Sequence, residues 1–140
     1  MSIIKKKRRR KRRRKQKPVS IIKDVKMFFA VRKDLKMGKG KMAAQVGHCT
    51  LALYKQLIGN KKYKTMLEDW ENRGSKKVVA KVKNEKEMMN LRKQAQIHGV
   101  MYSIICDAGK TQIEAGSQTV IGFIGYENKI KQFTGNLKLM

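Results

Sequence analysis

The sequence predicts an α/β fold, a single domain in which a four-stranded mixed sheet is flanked by helices on both faces. Two patterns in the 140 residues support this prediction. Four short apolar runs of strand-forming residues alternate with segments whose apolar positions recur at helical spacing, in the order β-α-α-β-α-β-β-α. Because strands separated by helices tend to run parallel and the last two strands can form a hairpin, the sheet is expected to be mixed.

The first half of the domain is predicted to hold one strand and two helices. The run "MFFAVRK" (27–33) is rich in residues typical of strands. A long helix follows over 38–58, and a second helix over 61–73 ends before Gly74. Their core-facing positions follow helical spacing: Met42, Val46, Leu53 and Leu57 in the first helix, and Tyr63, Met66, Leu67 and Trp70 in the second.

The next strand and helix are marked by clear boundaries. "KKVVAKV" (76–82) is predicted as the second strand. Asn84 then caps a third helix, with Glu87 three residues later as in a capping box, and Gly99 follows its last turn.

The remaining elements surround a polar loop. "MYSIIC" (101–106) and "TVIGFIG" (119–125) are predicted as strands, joined by the loop "DAGKTQIEAGSQ" (107–118). A short helix near 127–132 and the segment "TGNLKLM" (134–140) complete the domain.

The chain is strongly basic, and its charge is unevenly distributed. The formal net charge is +25, from 35 Lys and Arg against 10 Asp and Glu, and 12 of the basic residues lie within residues 1–17. Residues 18–140 keep the other 23 basic residues against 10 acidic ones, a net charge of +13. A body of that charge attracts polyanions without its tail, so nucleic acid is the expected partner.

The basic N-terminal arm, residues 1–23, is expected to be disordered when free, because "KKKRRRKRRRK" cannot build a core. Three interpretations of the arm stay open: a solvated arm with loose affinity for RNA, a nuclear or nucleolar address, and a mitochondrial presequence. The last lacks the amphipathic mixture that such segments need. The folded domain is expected to span 24–140.

Cysteine usage and hydropathy indicate the compartment. Cys49 and Cys106 are too few for a disulfide framework, so reduced thiols and a cytoplasmic location are expected. No apolar run reaches the roughly 18 residues of a membrane span, so no membrane association is expected. The two cysteines and two histidines lack the spacing of zinc ligands, and no metal is expected.

Several known motifs are absent. "GKT" (109–111) lacks the glycine that a phosphate loop carries five residues before its GK, where Ile104 stands. The strand at 119–125 lacks the alternating aromatic residues of an RNA-recognition sheet. "AGSQT" does not match the G-x-S-x-G pattern of serine hydrolases.

The start of the long helix is the first candidate site. Lys36, Lys39 and Lys41 surround two glycines where backbone N–H groups and the positive end of the helix dipole favour a phosphate or an oxyanion. From Lys41, helical steps reach Gln45 and His48, which are therefore expected on the same face. An exposed basic turn and a histidine bonded to the backbone remain the alternative interpretations.

The loop after the third strand is the second candidate site. Asp107 stands at the carboxyl end of that strand, where α/β sheets place their sites, and Thr111 and Thr119 follow it. A carboxylate with hydroxyls beside it can position or activate a water, and a neighbouring lysine can stabilise the resulting oxyanion. The alternative is an Asx turn closed by Asp107.

Three segments together resemble the archaeal and eukaryotic type of peptidyl-tRNA hydrolase. They are "VRKDLKMGKGKMAAQVGH" (31–48), "DAGKTQIEAGSQTVIGFIGY" (107–126) and "TGNLKLM" (134–140), and the resemblance covers residues 27–140. It implies an enzyme that hydrolyses the ester between a peptide and the ribose of its tRNA, which releases tRNA for reuse in translation.

The resemblance also implies a catalytic set and a substrate surface. The catalytic positions correspond to Lys41, Asp107, Thr111 and Thr119, with His48 close by. Asp107 would align the attacking water, and Lys41 would neutralise charge on the tetrahedral intermediate or hold the terminal phosphate of the tRNA. No cofactor is required. The candidate tRNA contacts are Lys36, Lys39, Gln45, Lys76, Lys77 and Lys110.

Two other functions compete with the enzyme: a non-catalytic RNA-binding or ribosome-associated protein that kept the fold, and a regulatory partner in protein turnover. The intact set of candidate catalytic residues favours the enzyme. The sequence departs from the family at its N-terminus, where animal members can carry a hydrophobic anchor and this chain carries the basic arm. That arm is expected to add RNA affinity or to hold the enzyme near ribosomes. Family members commonly form dimers, so a homodimer is also expected.

Overall fold

The computed structural model describes residues 23–108 and 116–140. The predicted basic arm lies outside the described residues apart from Lys23, and so do Lys110 and Thr111 in the loop after the third strand. The described elements are β1 (Val25–Arg32), α1 (Lys39–Ile58), a 3₁₀ turn (Lys61–Tyr63), α2 (Lys64–Asn72), β2 (Lys77–Val82), α3 (Glu85–His98), β3 (Met101–Cys106), β4 (Gln118–Tyr126) and α4 (Glu127–Thr134).

The four strands form one mixed sheet in the order β2-β1-β4-β3. β1 and β2 pair in parallel, and β4 pairs antiparallel with both β1 and β3. It follows that β1, β2 and β3 point the same way and β4 points the other way. The predicted α/β class, mixed sheet and terminal hairpin are confirmed.

Helices cover the two faces of the sheet and divide the core in two. On one face, residues of α1 and α2 such as Leu53 and Trp70 pack against Phe29 of β1. On the other face, residues of α3 and α4 such as Leu91 and Ile130 pack around a different set of strand residues. This arrangement follows from the period of two in each strand, which sends successive side chains to opposite faces.

α1 packs unusually close to the centre of the sheet, at Gly122 of β4. A Cβ built on Gly122 would lie 2.4 Å from the Cys49 Sγ and 3.2 Å from a methyl carbon of Leu53. The Cys49 thiol donates a 3.6 Å hydrogen bond to the Ser103 carbonyl on β3. A side chain at position 122 would therefore push α1 away from β3 and β4, since real Cβ contacts essentially never come so close.

The predicted helix boundaries agree with the observed caps. The Asn84 side chain accepts a 3.0 Å hydrogen bond from the Glu87 N–H, and the Glu87 carboxylate accepts one of 2.9 Å from the Lys83 N–H. Gly99 ends α3 in the left-handed conformation, with φ 63°. The predicted helix over 61–73 differs at its start, where the Asn60 side chain caps a 3₁₀ turn before α2.

The last residues of the chain lie along the outer edge of β2. Leu139 forms an isolated antiparallel bridge with Ala80. The Lys81 N–H donates to the Lys138 carbonyl at 2.8 Å, and the Met140 N–H donates to the Val79 carbonyl at 3.0 Å. These bonds use backbone groups that would otherwise be open on an edge strand.

Among the helices that the structure describes, none combines the length and apolar character needed to cross a membrane.

Candidate active site

One edge of the sheet collects most of the candidate residues. β1 and β3 end there, β4 begins there, and α1 starts just after β1. The turn after β1 carries Lys36, while Asp107 directly follows β3. We call this the carboxyl edge, after the ends of the three strands that share a direction; it is where α/β sheets bind their ligands.

Lys41 and Asp107 meet at the carboxyl edge. The Lys41 Nζ lies 2.5 Å from the Asp107 Oδ1, and the two side chains are 20% and 4% exposed. The Asp107 backbone is held by two further bonds, from its N–H to the Ser117 carbonyl at 2.8 Å and from the Gly116 N–H to its own carbonyl at 3.0 Å. The carboxylate is therefore fixed at the closed base of a loop, within reach of the first turn of α1.

A bulge in β4 brings Thr119 to the same place. Ile105 pairs with Val120, yet Cys106 pairs with Gln118, so Thr119 is the extra residue between the two pairs. A bulge of this kind breaks the alternation of the strand and re-aims a side chain. Here the fully buried Thr119 hydroxyl accepts a 2.9 Å hydrogen bond from the Gln45 side chain on α1 and donates one of 3.2 Å to the Ile105 carbonyl.

The first turn of α1 is open to solvent. Its N-cap is Gly38, and no described side chain caps the backbone N–H groups that follow. A Cβ added at Gly38 or Gly40 would meet no other described atom within 4 Å. Packing within the described protein does not demand glycine at either position, whereas the close approach of an external anion to the helix start does favour it.

Arg32 links the turn before α1 to the start of β4. Its guanidinium donates to both carboxylate oxygens of Asp34, at 3.0 and 2.7 Å, and to the Gln118 carbonyl at 3.1 Å. Asp34 belongs to the turn that leads into α1, and Gln118 directly precedes Thr119. The hydrogen bond from Arg32 holds the pKa of the Asp34 carboxyl below its usual range. Sequence inspection missed this clamp; its signal was a charged pair, R-x-D, at a strand end.

His48 does not share the environment of Lys41 and Gln45. Gln45 is buried, but His48 is exposed, and the buried stripe continues instead through Cys49, Leu53 and Leu57. Burial raises the pKa of the Cys49 thiol to about 12. The helical steps of +4 and +3 predicted a shared face. In the structure Lys41 contacts Asp107 and Gln45 contacts Thr119, whereas His48 is exposed.

The six candidate tRNA contacts fall in different places. Lys36 and Lys39 are exposed beside the start of α1, and Gln45 is buried against Thr119. Lys76 and Lys77 lie at the start of β2, on the opposite edge of the sheet, where Lys76 pairs with Glu127 at 3.1 Å. A six-residue strand separates them from the carboxyl edge, about 17 Å. Lys110 and Thr111 lie outside the described residues.

The described residues contain no cluster of three or more His, Cys, Asp or Glu side chains of the kind that holds a metal ion. What the carboxyl edge does offer is a buried carboxylate, an ammonium group beside it, a fixed hydroxyl and an open helix start. These groups suit the addition of water to an activated carbonyl, since the first can orient water and the cationic groups can stabilise an oxyanion.

Comparison with known proteins gives a consistent family. The family described as "Peptidyl-tRNA hydrolase PTH2" matches residues 25–140. A Methanococcus vannielii protein named peptidyl-tRNA hydrolase is 49% identical over 112 residues, 79% of this chain and 94% of its own length. The human protein named "Peptidyl-tRNA hydrolase 2, mitochondrial" is 45% identical over 117 residues, 83% of this chain and 64% of its own length.

Other relatives differ in length or share the fold alone. A Caenorhabditis elegans protein named "Probable peptidyl-tRNA hydrolase 2" is 41% identical over 115 residues, 82% of this chain, but this chain spans 36% of it. A solved protein of unknown function from Agrobacterium tumefaciens strain C58 has a TM-score of 0.57 at 9% identity, over 84% of this chain and 98% of that one. The match over residues 25–140 includes every described element, from β1 to the segment that borders β2. The chain therefore belongs to the PTH2 family of peptidyl-tRNA hydrolases.

Proposed function

We propose that this chain hydrolyses the ester bond between peptide and tRNA in peptidyl-tRNA and so releases free tRNA for translation. The observation that carries the proposal is the contact between Lys41 and Asp107, a nearly buried carboxylate 2.5 Å from an ammonium group at an open helix start. Family membership supports the same reaction, because the archaeal and human relatives carry the name of this activity.

In the proposed reaction, a water oxygen adds to the ester carbonyl carbon. Asp107 accepts a hydrogen bond from that water and takes its proton as the new bond forms. Negative charge then develops on the former carbonyl oxygen, where the Lys41 ammonium and the N–H groups of the first turn of α1 stabilise it. The intermediate collapses by breaking the bond to the ribose oxygen, which leaves with the proton.

The roles of Thr119 and Gln45 in this proposal are positional. The Gln45 amide donates to the Thr119 hydroxyl, which itself donates to the Ile105 carbonyl two residues before Asp107. This chain of bonds fixes the end of β3 relative to α1, and hence Asp107 relative to Lys41. Thr111 is proposed to orient Asp107 or its water. His48, on the exposed face of α1, is kept as a proposed member of the catalytic set.

Substrate recognition is proposed to rest on the tRNA backbone. Lys36 and Lys39 extend from the same edge as Lys41, and cationic side chains bind phosphates without reading base identity. Binding should weaken with salt, with a log–log slope of roughly 0.7 to 0.9 per phosphate contact. The cytoplasmic location, the homodimer and the contact of the basic arm with ribosomes remain predictions.

The test is hydrolysis of purified N-acetyl-aminoacyl-tRNA by wild type, by Asp107→Asn and by a variant lacking residues 1–17. The asparagine keeps the shape of the side chain but removes its charge. We expect wild type and the shortened variant to release the amino acid and Asp107→Asn to fail. If wild type binds tRNA and releases nothing, the protein is the non-catalytic RNA-binding alternative.

A further inference from the structure

A second basic surface lies at the carboxyl edge, outside the groups assigned to hydrolysis. A groove between the ends of β1 and β2, the start of α3 and the C-terminal segment is lined by Lys33, Lys81, Lys83, Glu87 and Lys138, among other residues. We call it the lysine groove. It contains four lysines and one acidic residue, and none of these lysines is among the candidate tRNA contacts named above.

The lysines of the groove outnumber its acidic residues by four to one, which leaves the lining with a net positive charge. None of the four makes an ion pair with a described residue, whereas Lys26 and Lys76 at the opposite edge share Glu127. The carboxylate of Glu87 is engaged by the Lys83 backbone N–H at 2.9 Å, as part of the cap of α3. Four gathered positive charges repel one another, and an anion bound among them would relieve that repulsion.

The frame of the groove is built by backbone hydrogen bonds. The Lys33 N–H donates to the Val82 carbonyl at 2.8 Å and joins the end of β1 to the end of β2. The Lys81 N–H donates to the Lys138 carbonyl at 2.8 Å and joins β2 to the C-terminal segment. The lysines therefore extend from a fixed base, which lowers the entropy lost when an anion is bound.

The groove faces the same side of the molecule as the proposed catalytic pair. β2 and β3 are the two outer strands of the sheet, so their ends are three strand spacings apart, about 14 Å. Lys33 and the exposed Lys36 follow β1, which lies between them.

We propose that the lysine groove binds backbone phosphates of the double-helical stem next to the terminal nucleotides of the tRNA. This inference rests on the proposed function, which places the ester at Lys41. A duplex is favoured over single-stranded RNA because no aromatic side chain lines the groove for a base to stack on. It is favoured over an acidic protein because the lining lacks the aromatic anchors typical of protein interfaces.

The test compares Lys81→Ala/Lys83→Ala with a control of equal charge, Lys61→Ala/Lys62→Ala. Lys61 and Lys62 are exposed and follow the C-terminal end of α1, a helix of 20 residues that begins at the carboxyl edge, so they lie about 30 Å from its start. Lys81→Arg/Lys83→Arg keeps the charge and serves as a second control. Thermal unfolding is followed for every variant, since the groove shares bonds with β2.

Binding of uncharged tRNA is measured first, as a function of salt. We expect the alanine variant of the groove to raise Kd roughly ten-fold at low salt and to lower the salt slope by about one to two, with the arginine variant and the Lys61/Lys62 control close to wild type. Equal weakening by the groove variant and the control would show that only total charge matters and would overturn the proposal.

Kinetics and a competitor then identify the ligand. For full-length N-acetyl-aminoacyl-tRNA, the groove variant should raise KM with kcat unchanged; for the ester of the terminal trinucleotide, both should match wild type. If the groove variant raised KM equally for the trinucleotide ester, binding to the stem would be contradicted. It would also be contradicted if wild type bound polyglutamate more tightly than tRNA and the groove variant lost that binding of polyglutamate. Because uncharged tRNA needs no hydrolysis, a wild type that binds it through the groove but releases no amino acid would refute the proposed activity alone.

Discussion

The two edges of the sheet each carry a pair of the same chemistry, a lysine and a carboxylate. At the carboxyl edge, Lys41 and Asp107 are 2.5 Å apart with side chains 20% and 4% exposed. At the opposite edge, Lys76 and Glu127 are 3.1 Å apart with side chains 50% and 32% exposed. The residue types alone do not distinguish the pairs, because both join a strand end to a neighbouring helix.

The two pairs differ in their surroundings, and therefore in what each can do. Glu127 accepts a hydrogen bond from Lys76 and also lies 3.7 Å from Lys26, so it links β1, β2 and α4. Lys26 itself is buried, but water screens the Lys76–Glu127 pair, and an exposed pair contributes about 0–1 kcal/mol. Asp107 is buried beside an open helix start, where electrostatic interactions are stronger and an external anion has access. Burial next to an opening, rather than pairing itself, marks the candidate site.

The largest expected effect is the difference in kcat between two variants, each of which removes the lysine of one pair. Lys41→Ala should lower kcat by about 10²–10³-fold, the loss typical when one oxyanion-stabilising group is removed. Lys76→Ala should leave kcat within about two-fold, because Lys76 lies about 17 Å away along β2. Single-turnover hydrolysis with saturating enzyme measures both. Similar rates for the two variants would remove the functional distinction between the edges.

Thr119→Val should have the next largest effect. The substitution keeps the shape of the side chain but leaves the buried Gln45 amide without its 2.9 Å acceptor, which costs about 1–3 kcal/mol of the free energy of unfolding. Thr50→Val is a matched control, since the Thr50 hydroxyl donates to the Val46 carbonyl on the same helix. Urea unfolding measures the loss, and hydrolysis should fall with Thr119→Val but not with Thr50→Val.

Asp34→Asn tests the hydrogen bonds of Arg32, which are found at the carboxyl edge beside the candidate site. The Arg32 guanidinium would lose a charged acceptor in the turn before α1, while its bond to the Gln118 carbonyl stays. We expect kcat/KM to fall about ten-fold, near 1.4 kcal/mol, with only a small drop in the thermal midpoint because the Arg32–Asp34 pair is exposed. A drop in stability without any change in kcat/KM would make Arg32 a structural residue only.

Glu127→Gln should give the smallest effect, and it should depend on pH. The hydrogen bond from Lys76 holds the pKa of the Glu127 carboxyl below its usual range. A carboxyl whose pKa is lower in the folded state stabilises the fold above its unfolded pKa, about 4.3, and loses that contribution as the pH falls through the folded value. Urea unfolding of wild type and variant should therefore differ slightly at pH 7 and converge at pH 2–3.

The fold could be predicted from the sequence because its signals are local. The strand runs, the helical spacing of Leu53 and Leu57, the Asn84 cap and Gly99 depend on neighbours within a few residues, and all are confirmed. The limits of the strands were predicted less accurately. β1 begins at Val25, two residues before its predicted start, because Val25 and Lys26 pair with Tyr126 and Gly125 across the sheet.

The site could be predicted only in part, because its details depend on contacts between distant residues. Asp107 and Lys41 were identified from their positions at a strand end and a helix start. The bulge that directs Thr119 toward Gln45 depends on the register between β3 and β4, which the sequence does not reveal. His48 is exposed because the contact between α1 and the sheet runs through Cys49, a rotation of the helix that spacing alone does not determine.

The narrow gap at Gly122 has a consequence for how this protein can vary in evolution. A Cβ at that position would lie 2.4 Å from the Cys49 Sγ, so α1 can approach β4 this closely only because residue 122 has no side chain. Any larger residue at position 122 would move the helix that carries both Lys41 and Gln45. A residue without access to substrate therefore limits which sequences keep the site intact, and compensating changes should arise first at position 49.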